Sequence, residues 1–410
     1  MSTNLHSNVS FTPVDGGVTA AAGFTVGTAA AGIKKNGNLD VALIVADKPA
    51  AAAGVFTTNK AQAAPVLVSR EHLEATGGRA SAIIVNAGCA NACTGPDGLA
   101  VARRSAEFVA RTVGCLAHEV LVASTGVIGV QLDLDKIRTG AGQAAAARSR
   151  EGHHDAARAI MTTDREPKEC AVRVTTPRGN FSIGGIAKGA GMIEPHMATM
   201  LGFLTTDAGV DPAVLKRALT EVVDVTFNAI TIDGDTSTND TVFLLAGGAS
   251  GVQVTAEIYP AFVAGLREVC GTLARAIVRG GEGATKLVSI TASGALSQDE
   301  AKRAANTIAN SLLVKTAIHG GDPNWGRLVA AAGRAGVAFD IQRARVRVGS
   351  TILFSDGVPF DERAAEAADY LAGTDIDIEV GLGSGGDATA TVWTCDLSAE
   401  YVKINGEYRT

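Results

Sequence analysis

Lys188-Gly-Ala-Gly-Met-Ile-Glu-Pro-His-Met-Ala198-Thr199-Met-Leu-Gly202 stands almost at the midpoint of the 410-residue chain and sets a small residue directly before a threonine. Scission of the Ala198–Thr199 bond would give Thr199 a free α-amino group beside its own hydroxyl. A neutral hydroxyl is a poor nucleophile without a base, and an N-terminal amine supplies one within the same residue. Its reference pKa of about 7.7–8.0 leaves a usable neutral fraction near pH 7, whereas a lysine at about 10.4 needs far more tuning. Taken alone, the dipeptide reads first as part of a buried strand, Met-Ala-Thr-Met-Leu-Gly-Phe-Leu. Its meaning therefore depends on the rest of the chain.

Hydrophobic residues make up 46% of the sequence and charged residues 19%, which describes a globular protein too long for one simple core. The 48 glycines, set against 4% aromatics, favour closely packed backbones over large aromatic anchors. A net charge of −6 argues against nucleic acid as the main partner, but small anions respond to local charge and are not excluded. The sequence shows no basic leader and no run of about 18 apolar residues, so a cytoplasmic protein without a membrane span is expected. Cys89 and Cys93 lack a second pair at metal-binding spacing. The six cysteines therefore read as free thiols, and no metal is expected.

Strand-like runs occur at Val41–Ala46, Ser81–Asn86, Glu119–Ser124, Leu287–Ser293, Arg345–Gly349, Asp375–Val380 and Ala388–Trp393. Helical periodicity marks Leu99–Val113, Leu134–Ala147, Asp211–Phe227, Ala261–Arg279 and Ser297–Leu313. Asp211-Pro212 has the form of an N-cap followed by proline in the first turn. No strict βαβ order runs through these elements, so an α+β fold of mixed layers is expected, with its softest boundary near Gly280–Thr285. On this reading residues 1–285 form the catalytic domain and residues 286–410 a smaller C-terminal α/β domain. Gly381-Leu-Gly-Ser-Gly-Gly386 matches a dinucleotide pattern in form only. A strand follows it where a helix is required, so a glycine-rich hairpin is expected there. His153-His154 reads as an exposed helix start, and His196 as a structural residue that an N-terminal amine makes unnecessary as a base.

Acyl transfer needs a nucleophile, a base and donors aimed at the developing oxyanion. Ser124-Thr125-Gly126-Val-Ile-Gly129 follows a strand and sets a hydroxyl beside a flexible glycine. This motif and the Lys188–Leu201 run resemble the ornithine acetyltransferase family, also called glutamate N-acetyltransferase. The likeness extends to Ile160-Met-Thr-Thr-Asp164, Gly280-Gly-Glu-Gly-Ala-Thr285, Asp233–Asp240, the Lys315–Arg327 stretch and the tail Ile404–Thr410.

The resemblance implies layered sheets flanked by helices, of the ornithine acetyltransferase and DmpA-like type. It implies scission between Ala198 and Thr199 into pieces 1–198 and 199–410, with Thr199 as nucleophile and base and Thr125 and Gly126 as oxyanion hole. Thr162, Lys188, Thr199, Glu282, Asn405 and Thr410 are implied to bind substrate, with Lys188 suited to a carboxylate and Glu282 to an ammonium group. Asp233–Asp240 is read as a polar loop supporting the site, and Lys315–Arg327 as structural. The implied reaction passes an acetyl group from N2-acetylornithine to glutamate by a ping-pong path. No cofactor is implied, although acetyl-CoA is used as donor by some relatives, and an α2β2 assembly is implied. An amidase or aminopeptidase with the same self-made threonine is the alternative, and a non-catalytic binding protein is a third reading.

Overall fold

The computed structural model describes residues 9–194 and 200–407. Nine strands form the larger sheet: β1 (Ser10–Pro13), β2 (Phe24–Ala29), β3 (Val41–Phe56), β4 (Arg79–Cys89), β5 (Val120–Val127), β6 (Lys168–Thr176), β7 (Gly179–Lys188), β8 (Leu201–Thr206) and β9 (Thr241–Ala246). Their order is β1-β6-β7-β8-β9-β3-β4-β5, with β2 paired to β3 off this path. The sixteen-residue β3 is the pivot. Its first part, Val41–Ala46, pairs with β2 and β4, and its last part, Ala51–Phe56, pairs with β9.

Successive side chains of a strand point to opposite faces, and both faces here are covered. Val41, Leu43 and Val45 pack with α1 (Ala64–Ala75), α2 (Gly95–Val113) and α3 (Leu134–Ala146). Ala42, Ile44 and Ala46 pack inward, with α4 (His153–Ala159) and with Leu201, Phe203, Phe243 and Leu245 of β8 and β9. The other face of β6–β9 lies on α5 (Pro212–Asp224) and α6 (Tyr259–Arg279). The result is a helix–sheet–sheet–helix stack, in which β3 carries the chain from one sheet layer to the other. The many alanines of the inner layer let the two sheet halves approach closely.

The second sheet contains β10 (Leu287–Ala295), β11 (Arg345–Val348), β12 (Thr351–Ser355), β13 (Val358–Pro359), β14 (Asp375–Gly381) and β15 (Ala388–Cys395), in the order β13-β12-β11-β14-β10-β15. It has its own core with α7 (Gln298–Ala309), α8 (Leu312–His319), α9 (Trp325–Gly333) and α10 (Ala364–Leu371). After β15 the chain returns to the larger sheet as α11 (Ala399–Glu407).

Two expectations need correction. The helix expected over Ser297–Leu313 breaks after Ala309, because the Asn310 side chain turns to Glu194 (2.8 Å) and accepts from Thr231 (2.7 Å). Gly381–Gly386 closes no hairpin: β10 lies between β14 and β15, parallel to one and antiparallel to the other. The loop must cross the end of β10, and a Cβ on Gly386 would sit 1.9 Å from the Ala295 carbonyl oxygen. By contrast α5 starts as expected, with the Asp211 carboxylate accepting from Ala213 N at 2.9 Å. Among the described residues no helix is long and apolar enough to cross a membrane.

Candidate active site

β5 carries Thr125 and Gly126 just before its end, β7 ends in Lys188, and the Asp233–Asp240 loop leads into β9. Together with the loop after α6 and with α11, they enclose a cavity of about 260 Å³. Thr125, Gly126, Thr162, Lys188, Glu282 and Asn405 all line it. Six of the expected site residues, drawn from separate parts of the chain, thus share one space. Ala198, Thr199 and Thr410 lie outside the described residues, as does His196.

Lys188 is buried, and its Nζ donates to Thr125 Oγ1 at 3.1 Å. A hydroxyl oxygen that accepts there has its own proton free to point elsewhere, and among the described residues that proton has no acceptor. Gly126 follows with a φ of 126°, and a Cβ there would lie 2.4 Å from the Gly88 carbonyl carbon, so only glycine fits. Burial pushes the Lys188 pKa down, and Asp164 opposes it.

Across the cavity, buried Glu282 accepts from Asn405 Nδ2 at 2.8 Å, while its backbone N–H donates to the Ala190 carbonyl at 2.8 Å. Gly191 lies against the carboxylate, where a Cβ would sit 2.4 Å from Glu282 Oε2. Lys188 and Glu282 line the same cavity, a lysine and a glutamate side chain that suit a molecule carrying both a carboxylate and an amino group. Gly191→Ala is expected to push Glu282 off this position and raise KM for an amino-acid substrate about tenfold or more, with a much smaller change in kcat. Steady-state kinetics would check it, and an unchanged KM would remove Glu282 from substrate binding.

The segment leading to the Ala198–Thr199 junction is held by carboxylates of which the sequence marks only Asp233 and Asp240, as part of a supporting polar loop. Asp164 Oδ1 accepts from Lys168 Nζ (2.6 Å) and Gly189 N (2.7 Å), and Oδ2 accepts from Thr162 N (3.1 Å). Asp233 accepts from Met192 N (2.6 Å), Ile193 N (2.9 Å) and the Tyr401 hydroxyl (3.1 Å). On the far side of the junction, Asp240 Oδ1 accepts from Met200 N at 2.8 Å. No sequence period marks these aspartates, because their burial arises only when the layers stack.

Burial alone would raise Asp164, but Lys188, Lys168 and the Gly189 N–H outweigh it and bring the carboxyl down to about 2. A carboxyl depressed on folding adds stability above its unfolded pKa and loses it as pH falls through the folded value. From an ordinary value near 3.8 to about 2, this amounts to about 2 kcal/mol. Asp164→Ala removes the partner of a buried lysine and is expected to cost about 3–5 kcal/mol at pH 7. The deficit should shrink as pH falls from about 4, where the carboxyl of the unfolded chain takes up its proton, to about 2, where the folded one does. Urea melts at pH 7 and pH 3 would test the sign.

A hydroxyl with a free proton, a glycine turn beside it, and a buried lysine and glutamate all face one small polar cavity. Residues 25–410 match the model of the ArgJ family. The chain is 48% identical over 406 residues to the arginine biosynthesis bifunctional protein ArgJ of Gloeobacter violaceus, covering 97% of this chain and 98% of that one. It is 46% identical to the ArgJ protein of Dehalococcoides mccartyi, with 99% and 100% covered. A crystal structure of the ArgJ protein of Bacillus halodurans superposes with a TM-score of 0.50 at 40% identity, covering 51% of this chain and 100% of that chain. The chain belongs to the ArgJ family, whose enzymes are acetyltransferases of arginine biosynthesis.

Proposed function

We propose that the chain cuts itself between Ala198 and Thr199 and that the mature Thr199 carries the acetyl group from N2-acetylornithine to glutamate. In the first half-reaction the Thr199 hydroxyl attacks the acetyl carbonyl and its proton passes to the Thr199 amine. The Thr125 hydroxyl and the Gly126 N–H donate to the oxyanion. The C–N bond then breaks, the departing ornithine amine takes the proton, and an acetyl ester remains on Thr199. In the second half-reaction the glutamate amine attacks that ester, and Thr199 Oγ leaves and regains its proton. Both substrates are α-amino-acid derivatives with a carboxylate at the same place, so one cavity can serve both.

The observation that carries this reading is the meeting of Thr125, Lys188, Glu282 and Asn405 in one cavity. The same reading includes a cytoplasmic location and an α2β2 assembly of the two pieces, and it leaves use of acetyl-CoA as a second donor open. The deciding experiment follows ornithine release from N2-acetylornithine with and without glutamate. Release that continues at the same rate without glutamate would make water the acceptor and the protein an amidase.

A further inference from the structure

Beyond Thr162 lies a second cavity, of about 540 Å³, that no step of the reaction above uses. Thr162 lines both spaces. Gly88, on the wall of the second, lies against Gly126 of the first, where a Cβ would come within 2.4 Å of the Gly88 carbonyl carbon. Three lysines, Lys34, Lys35 and Lys136, line this cavity against one acid, Asp133. The Asp133 carboxylate is engaged as the cap of α3, accepting from Asp135 N (3.0 Å) and Lys136 N (3.3 Å). Lys35 is exposed and has no ion-pair partner among the described residues.

Lys34 stands nearest the catalytic cavity. Fully buried Asp40 fixes its loop, accepting from Ala31 N (2.6 Å), Ile33 N (2.6 Å) and Lys34 N (3.0 Å). The Lys34 Nζ donates to the carbonyls of Leu39 (2.6 Å) and Ala159 (3.0 Å), the latter at the end of α4 and three residues before Thr162. An ammonium carries three N–H groups, so one is left without an acceptor among the described residues. Burial lowers the Lys34 pKa to about 8, with Asp40 and Asp164 opposing, so the ammonium form prevails at pH 7.

N2-acetylornithine and glutamate share an α-carboxylate but carry opposite charges at the ends of their side chains. Glu282 suits the δ-ammonium of the donor. The γ-carboxylate of glutamate in the same place would set two carboxyl groups against each other, which disfavours the ionised pair. Lys188 already donates to Thr125 and faces the shared carboxylate, so the acidic arm needs another cation. We propose that the second cavity receives the side-chain carboxylate of the acceptor, with Lys34 as the residue that selects it, while Glu282 keeps the ammonium arm of the donor. The inference rests on the glutamate-acceptor reading above.

Acceptor kinetics test it. In a ping-pong path kcat/KM for the acceptor reports the second half-reaction alone, so N2-acetylornithine serves as donor throughout, with glutamate or glutamine as acceptor. The wild type should favour glutamate. Lys34→Met should lower kcat/KM for glutamate about 10–100-fold, the usual loss for a hydrogen bond to a charged group, and change that for glutamine little. Lys34→Arg should restore part of the preference. If Lys34→Met does not fold, Lys35→Glu decides, and there the preference should fall about two- to fivefold. A preference for glutamate that survives in the folded variants, or equal losses on both acceptors, overturns the proposal. A wild type that releases ornithine equally fast without any acceptor would instead overturn the acceptor reading itself.

Discussion

Thr199→Ala is expected to remain one chain of 41.6 kDa, where the wild type separates into pieces of roughly 20 and 21–22 kDa, in proportion to residues 1–198 and 199–410. The same variant should lose about 10⁴-fold or more of its acetyl transfer, because nucleophile and base leave together. Both outcomes follow from one residue only if scission and transfer share the threonine. A denaturing gel, N-terminal sequencing and an exchange assay with labelled glutamate would check them. An Ala variant that stays whole yet transfers acetyl groups at the wild-type rate would free the reaction from Thr199. The anchors on either side, Asp233 on Met192 and Ile193 and Asp240 on Met200, do not depend on the hydroxyl. The variant should therefore fold, and its loss would report chemistry.

Local signals in the sequence reached as far as local physics allows. Asp211-Pro212 announced the start of α5 because a cap and a first-turn proline act within a few residues. The path of β3 was not legible, since its first part reads as an ordinary short strand. What turns it into a sixteen-residue pivot is pairing with β2, β4 and β9, set by residues up to two hundred positions away. The crossing of β10 by the Gly381–Gly386 loop was hidden for the same reason, because strand order is a non-local property. In the site, Thr125 and Lys188 are 63 residues apart, and no spacing rule joins them. The family resemblance placed both in one site without joining them, and their hydrogen bond appears only in the structure. It gave Asp240 only a general place in a supporting polar loop and Asp164 no role, and their function as anchors of the segment around the Ala198–Thr199 junction becomes visible only once burial strips them of water.

Thr125→Val and Lys188→Met should each lower kcat by about 10²–10³, the usual effect of losing an oxyanion donor. Their combination decides how the pair works. Lys188 donates to Thr125 Oγ1 at 3.1 Å, which occupies the oxygen and leaves the hydroxyl proton to face the cavity. If the lysine acts chiefly by aiming that proton, removing it after Thr125 is gone costs little more. The double variant should then fall no further than the worse single one, about 10²–10³, giving a coupling energy of about 3–4 kcal/mol. If Lys188 acts independently, by holding the substrate carboxylate, the losses multiply to about 10⁴–10⁶ and KM rises in every variant lacking the lysine. Lys188 is buried and lined up with Thr125, while Glu282 and Asn405 lie across the cavity. That arrangement favours the aiming role for kcat, with the carboxylate contact appearing in KM. A double-mutant cycle read in kcat and KM separately distinguishes the two roles of one ammonium group.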